Sequence, residues 1–309
     1  MLALLALLAC APKDEDPPLD SDTDSDPPAE DTEAGMYATA DELLILSAPM
    51  VGDTTCFDPS GDWGAQAADP SCQVLVDVTG DIEDFQSGDG VPLATIELFW
   101  SDRLGDTPDS VLTSDVDGNV SGGQARTCSP FTARIYTDAQ HEDTKLTLQQ
   151  HWTEGPGDPM DTFFNSVATG TYLLIPAILG IRPDPTRGIV AGTAYHCGGE
   201  GRPAENVQIL LKDDQGRYHA TARVHYFQEE FPSTDQPTTS ADGLWMALEV
   251  PAGEVTVEMW GILTDGGEPQ LLGSTRADVL ADGITITDVY LGDDDGVKLD
   301  ASCLAPCGL

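Results

Sequence analysis

Cysteines, histidines and a large excess of acids are the residues of this 309-residue chain with the types to do chemistry. The cysteines are Cys10, Cys56, Cys72, Cys128, Cys197, Cys303 and Cys307. Setting Cys10 aside leaves an even set, which in an exported chain predicts three disulfides with fifteen possible connectivities. Cys56 and Cys72 bracket a loop rich in Gly, Asp and Pro and stand ready to close it. Cys303 and Cys307 have C-x₃-C spacing, unlike the C-x-x-C of thiol redox motifs, and the paired C-x-x-C knuckles of zinc sites are absent. His141-Glu142 opens like the H-E-x-x-H zinc motif, but Lys145 stands where the second histidine belongs, so the stretch reads as a solvated turn. No G-x-S-x-G elbow, phosphate loop or dinucleotide fingerprint is present. With 54 acids against 13 bases, no carboxylate pair stands out as catalytic. These residues predict no catalytic site, no metal site and no cofactor, hence a protein that is not an enzyme.

The formal charge of −41 repels nucleic acid and anionic lipid headgroups, so no nucleic-acid partner is expected. At the N-terminus an apolar run, Leu2 to Ala9, leads into Cys10. It is shorter than the roughly 20 residues that span a bilayer. It fits the apolar core and cleavage site of an export signal over 1–9, although the usual positive n-region is missing. Leu7-Leu8-Ala9-Cys10 resembles the bacterial lipoprotein cleavage box. The resemblance implies lipidation of Cys10, a membrane partner through that anchor, and a place at the bacterial outer membrane or cell surface. An ordinary secretory signal with an incidental cysteine is the alternative. Residues 10–35 then carry ten acids and five prolines and almost nothing apolar. Such a segment cannot bury enough surface to offset chain entropy and reads as a disordered, extended tether.

Beyond the tether the apolar residues recur with the period of strands. Glu42 to Ser47 is a short apolar run that reads as the first strand. Val74, Val76 and Val78 share a face, as do Ala94, Ile96 and Leu98, and Phe131, Ala133 and Ile135. After a break, Tyr172 to Leu179 is the most apolar stretch of the mature chain, a buried strand or short helix at a seam. The period resumes with Val207, Ile209 and Leu211, then Val255, Val257 and Met259, then Ile284 and Ile286. No sustained helical period appears. Short strands between turns indicate sandwiches. The expected layout is a first β-sandwich over 36–153, an inter-domain segment over 154–187, a second β-sandwich over 188–292 and a cysteine-containing tail over 293–309.

The two units echo one another. Pro92-Leu-Ala-Thr-Ile-Glu-Leu parallels Pro203-Ala-Glu-Asn-Val-Gln-Ile, Thr113 through Asn119 parallels Thr239 through Leu244, and Pro130 to Ile135 loosely parallels Pro251 to Val257. Gly188-Ile-Val190, Pro203, Asn206 to Ile209, Thr239-Ser-Ala-Asp242-Gly243 and Pro251-Ala252-Gly253 together resemble the carboxypeptidase regulatory-like family. The first unit carries its marks in Gly80 to Phe85, Pro92, Thr95 to Leu98 and Asp117-Gly118. That resemblance implies an all-β fold of two tandem transthyretin-like/Ig-like β-sandwich domains and a surface accessory role. It transfers no catalytic residue.

Intradiol ring-cleaving dioxygenases use a similar sandwich and hold iron with Tyr and His. Tyr195-His196, Tyr218-His219 and His225-Tyr226 are of those types, but the H-x-H of that family has no counterpart over 254–261. The leading expectation is a structural, adhesive or binding protein of the cell envelope with an unknown protein or glycan partner. Its expected contacts are Tyr218, Tyr226, Phe227 and Phe231, on the polar, aromatic-bearing stretch that the first unit lacks. Calcium held by acidic loops such as Asp293-Asp294-Asp295 is the alternative.

Overall fold

The computed structural model describes residues 36–60, 67–138, 144–152, 155–156, 159–198, 201–228, 231–292, 299, 301–304 and 306–307. Cys10, the signal and tether, His141-Glu142 and Asp293 to Asp295 lie outside the described residues. The first half supplies β1 (Tyr37–Ala38), α1 (Ala40–Leu43), β2 (Leu75–Asp84), β3 (Thr95–Phe99), β4 (Ser110–Thr113) and β5 (Asn119–Arg126). It continues through β6 (Phe131–Tyr136), β7 (Thr144–Lys145), β8 (Thr147–Trp152), β9 (Met160–Ala168) and α2 (Thr169–Ile178). The second half supplies β10 (Arg187–Tyr195), β11 (Gln208–Asp213), β12 (Tyr218–His219), β13 (Arg223–Gln228) and β14 (Phe231–Ser233). It ends with β15 (Leu244–Pro251), β16 (Gly253–Gly261), β17 (Gln270–Val279), β18 (Ile284–Ile286) and β19 (Val289–Tyr290).

Alternation of apolar and polar residues builds two cores. Val78, Ile82, Ile96, Leu98, Phe131 and Ile135 meet in the first, between β5-β2-β9-β7 and β8-β6-β3-β4. Val190, Val207, Ile209, Leu211, Val257 and Met259 meet in the second, between β1-β12-β11-β16-β17 and β14-β13-β15-β10-β18. The chain is thus all-β, with two tandem β-sandwiches. The run over 42–47 is not a strand: α1 occupies its start. Glu42 Oε2 accepts from both the N–H and the hydroxyl of Thr39, at 2.9 Å each, and so closes a helical turn.

The duplication is visible in matched hydrogen bonds. Ser114 Oγ donates to Val91 C=O at 2.7 Å and accepts from Ala94 N–H at 2.9 Å. Thr239 Oγ1 donates to Ala204 C=O at 2.8 Å and accepts from Val207 N–H at 3.0 Å. Between the bridged residues, Leu93 and Asn206 take left-handed φ of 56° and 61°. Ile82 N–H reaches Gly118 C=O as Ala194 N–H reaches Gly243 C=O, both at 2.9 Å. A Cβ on Gly80 would lie 1.7 Å from Thr162 O, and one on Gly192 would lie 1.8 Å from Thr287 O. These pairs move the first echo by two residues: Ala94 corresponds to Val207, and Gly80 to Gly192 rather than to Gly188.

The sandwiches share a sheet. β18 runs parallel to β10 on one side, Ile284 opposite Ile189, and parallel to β8 on the other, Ile284 opposite Thr147. The strand order β14-β13-β15-β10-β18-β8-β6-β3-β4 therefore crosses from one sandwich into the next. The chain also crosses the expected boundaries. β1, from the expected first domain, adds to β12 of the second sandwich, and Met50 enters the second core. β9, from the expected inter-domain segment, pairs in parallel with β2 and completes the first sandwich.

Disulfides fix these crossings. Cys56 joins Cys197, Cys72 joins Cys307, and Cys128 joins Cys303. Closure of the loop between Cys56 and Cys72 does not occur, because Cys56 follows the segment that docks on the second sandwich while Cys72 opens the first. The two C-terminal cysteines return the tail to the first sandwich, where Cys72, Cys128, Leu299 and Cys303 form a small core of their own.

Candidate functional site

Residues 218–237 are for the most part built into the sheets. Arg223–Gln228 forms β13, antiparallel to β15, and alternation sends neighbouring side chains to opposite faces. Tyr226 turns into the second core at 4% exposure, and its phenol oxygen accepts Ile209 N–H at 2.8 Å. That burial raises the phenol's pKa above its ordinary value. Phe227 turns to the outer face of the sheet and is also buried. Tyr218 is half-buried and donates to Glu258 Oε2 at 2.7 Å. Only Phe231, 58% exposed, presents its ring to solvent. The expectation of four exposed contact aromatics is therefore corrected for Tyr226 and Phe227, whose surfaces are spent on packing.

Phe227 leads instead to a crevice between the sandwiches. The outer face of the shared sheet is apolar: Leu244, Met246 and Leu248 from β15, Ile189 and Ala191 from β10, Ile284 and Ile286 from β18. α2 covers one end of this face with Tyr172 and Ile175, joined by Leu179 just beyond its end. Asp84 sets where α2 begins, since its Oδ2 accepts Ala168 N–H at 2.6 Å. Thr171, in the first turn, donates to Gln86 Oε1 at 2.8 Å. Beyond the helix the apolar face continues uncovered, and β9 leans over it from the first sandwich. The space left is a cavity of about 340 Å³.

Its walls come from both sandwiches. Phe163, Asn165 and Val167 of β9 stand opposite Leu244, Met246, Ile284 and Ile286. Gln149 of β8 clamps the base: its amide oxygen accepts Asn165 N–H at 2.9 Å, and its NH₂ reaches Phe163 C=O at 3.4 Å. Phe85 and Phe163, 49% and 44% exposed, rim the opening. One end is polar. Thr193 N–H donates to Asp288 Oδ1 at 2.8 Å. One rung further along the same strands, Tyr195 and Tyr290 stack with ring centroids 5.1 Å apart and planes at 17°.

This geometry was legible in part. β10 and β15 read GIVAGTAY and LWMALEV, near-continuous apolar runs of the kind that are buried on both faces. The second buried face of those strands is the signal that sequence reading passes over. β18 is its clearest case: Thr285 points inward and is buried, while Ile284 and Ile286 line the crevice. Thr285 is satisfied there by donating to Asp278 C=O at 2.6 Å.

Each tyrosine of the iron-enzyme pattern has another partner. Tyr195 stacks on Tyr290, Tyr218 serves Glu258, and Tyr226 serves Ile209. His196 Nδ1 contacts Cys197 C=O at 2.9 Å. Among the described residues no three His, Cys, Asp or Glu side chains are grouped to hold a metal ion.

No family model and no curated protein matches the chain. Solved structures similar to it include the shaft pilin SpaA of Lactobacillus rhamnosus GG, at 7% identity over 74% of this chain and 100% of that one, with a TM-score of 0.23. GBS52, the minor pilin of Streptococcus agalactiae, is similar at 11% identity over 70% of this chain and 96% of that one, with a TM-score of 0.22. The Bacillus anthracis TIE protein is similar at 9% identity over 70% of this chain, with a TM-score of 0.22, and the chain spans 34% of its length. At such identities and TM-scores the likeness carries no functional argument, and the fold class rests on the chain's own sheets and cores.

Proposed function

We propose that the chain is an exported, non-enzymatic protein of the bacterial cell envelope, lipid-anchored through Cys10, whose tandem carboxypeptidase regulatory-like sandwiches bind a ligand in the crevice between them. The observation that carries the binding role is an apolar sheet face that α2 covers at one end and that stays open, with a polar rung, at the other. Ligand sites favour such inter-domain clefts, mostly apolar with a few placed polar groups. Support for the exported compartment comes from three disulfides between distant segments, a usage that belongs to oxidising environments. The shared sheet and these crosslinks also suit a structural or adhesive role, since they hold the crevice walls in fixed register.

Two measurements test this reading. Mass spectrometry of the mature N-terminus is expected to find diacylglycerol on Cys10; an unmodified terminus or one processed elsewhere removes the anchor. Capture from intact cells is expected to yield a ligand that a crevice-filled variant, Ile286→Trp, does not retain. Equal retention by both forms removes the crevice from the function.

A further inference from the structure

α2 carries no charge on any side. From Phe163 to Ile181 the sequence has no Asp, Glu, Lys or Arg, in a chain where 22% of residues are of those types. Tyr172 and Ile175 pack on the shared sheet. Gly170, Leu173, Leu174, Ala177 and Ile178, spaced as one helical face, look outward. Leu173, Leu174 and Ile178 are 55%, 48% and 49% exposed. The outer face of a surface helix is ordinarily polar. The end of this helix is also closed. Gly180, at a φ of 70°, donates its N–H to Ala177 C=O at 3.0 Å, and Ile181 N–H reaches Pro176 C=O at 2.8 Å. These bonds satisfy carbonyls that a helix end otherwise holds out to water.

Charge, size and reach decide what covers this face. An uncharged apolar face suits an apolar medium, and a formal charge of −41 turns away anionic surfaces. Ten residues of helix are about 15 Å long. That is half of the roughly 30 Å hydrocarbon core of a bilayer, so α2 can lie in an interface but does not span one. A strip about 15 Å long and 10 Å wide also falls well short of the about 800 Å² per partner of a stable protein interface. Residues 11–35 separate Cys10 from Met36, where the described fold begins. Fully extended, that length reaches about 90 Å, more than the about 50 Å across a compact fold of this size. A bilayer that holds acyl chains on Cys10 is therefore within reach of α2.

We infer that α2 docks on a zwitterionic lipid bilayer, with Leu173, Leu174, Ala177 and Ile178 at the boundary of headgroups and acyl chains. The inference rests on the lipid anchor for the nearness of the bilayer and adds a second contact, which sets the side of the fold that faces it. Interfacial helices bury an apolar face in this way, roughly 5–10 Å deep. The sheet already holds α2 folded, so docking orders little new structure.

The test uses the oxidised chain from Cys10 onward, with Cys10 coupled to a maleimide lipid in phosphatidylcholine vesicles while the other six cysteines are paired. Coupling supplies the anchor whether or not cells lipidate Cys10. Leu174→Trp reports contact, with Ile178→Trp as a second reporter. Lipids brominated on the acyl chain are expected to quench at least half of the added emission. Leu173→Glu with Ile178→Glu, at exposed positions, is expected to cut the quenching of the Leu174→Trp reporter at least fivefold. In the uncoupled chain the same pair is expected to lower partition onto phosphatidylcholine vesicles at least tenfold, and exchange of that lipid for phosphatidylglycerol is expected to weaken it too. Unquenched emission from both reporters in the coupled chain overturns the inference and leaves the anchor to mass spectrometry of the mature terminus. A lipid-free dimer that the charged pair dissociates gives this face to a second copy and overturns it as well. Quenching lost in Ile286→Trp but kept in the charged pair places the lipid in the crevice, with the same result.

Discussion

Tyr218 on β12 donates its phenol to the carboxylate of Glu258 on β16 across 2.7 Å, spanning the strand that lies between them. Glu258 is 1% exposed and also receives Lys212 Nζ and, at 2.9 Å, Trp260 Nε1. Three donors satisfy one buried carboxylate, which makes this cluster a structural clamp rather than a contact surface. Removing the acceptor leaves a half-buried cation and two half-buried donors without it. Glu258→Ala is expected to destabilise by about 1–3 kcal/mol, whereas Tyr218→Phe, at the half-exposed end, is expected to cost about 1 kcal/mol or less. Urea unfolding of both variants measures the difference. Burial first, and then Glu258, raise the Tyr218 phenol above its ordinary pKa. The folded state then holds a proton that the unfolded state releases, so this contribution is intact below about pH 10 and falls as pH rises beyond it.

The matched hydroxyls of Ser114 and Thr239 predict matched costs. Each is buried and bridges one C=O and one N–H. Ser114→Ala and Thr239→Ala are each expected to cost about 2 kcal/mol by leaving buried groups unpaired, and Thr239→Ser to cost far less. The intervening left-handed residues differ. Asn206 suits its φ of 61°, but Leu93 does not suit its φ of 56°. Leu93 is 44% exposed, so Leu93→Asn forfeits little burial and is expected to stabilise by about 1 kcal/mol. Thermal melts of these variants check both statements.

The buried His219 and the half-buried His225 set a limit on the acid side. Burial lowers the pKa of His219 and of His225 below the ordinary imidazole range. As pH falls through about 6.5 the unfolded state takes up protons that the folded state refuses, so stability falls with pH from there downward. Urea midpoints at pH 7.5 and 5.5 are expected to show the loss, and His219→Gln is expected to shrink the difference between them. A second loss is expected below about pH 4: Asp115, held below the usual carboxylate range by the side chain and backbone N–H groups of Asn119 and by the Asp117 N–H, then takes up a proton more readily in the unfolded chain.

The disulfide pairing is directly testable. Non-reducing peptide mapping is expected to find Cys56 with Cys197, Cys72 with Cys307 and Cys128 with Cys303. The crosslinks span 141, 235 and 175 residues. In the chain-entropy picture, opening any one alone costs about 5 kcal/mol. Cys72→Ser with Cys307→Ser is expected to lower the unfolding midpoint by that amount and to leave the second core intact, as read by the near-ultraviolet signal of buried Trp245.

Period-two alternation made much of the two cores legible. Ala94, Ile96 and Leu98, or Val255, Val257 and Met259, announce a shared face whatever lies opposite, because side-chain direction in a strand is local. The even cysteine set and the repeated turn chemistry around Gly118 and Gly243 are likewise written in the chain. What covers each face is not local. The pairing of β18 with both β8 and β10 joins residues far apart in sequence, and no pattern within Ile284–Ile286 specifies either partner. The two-residue offset between the repeats was hidden for the same reason: hydrogen bonds from Ser114 and Thr239 define it, not the flanking prolines. Tyr226 and Phe227 read alike as candidate contacts, yet one entered the core and the other the crevice once β13 joined β15. The crevice itself exists because two sandwiches meet at one seam and α2 closes only part of the face beside it, a matter of nonlocal packing that only the tertiary structure decides.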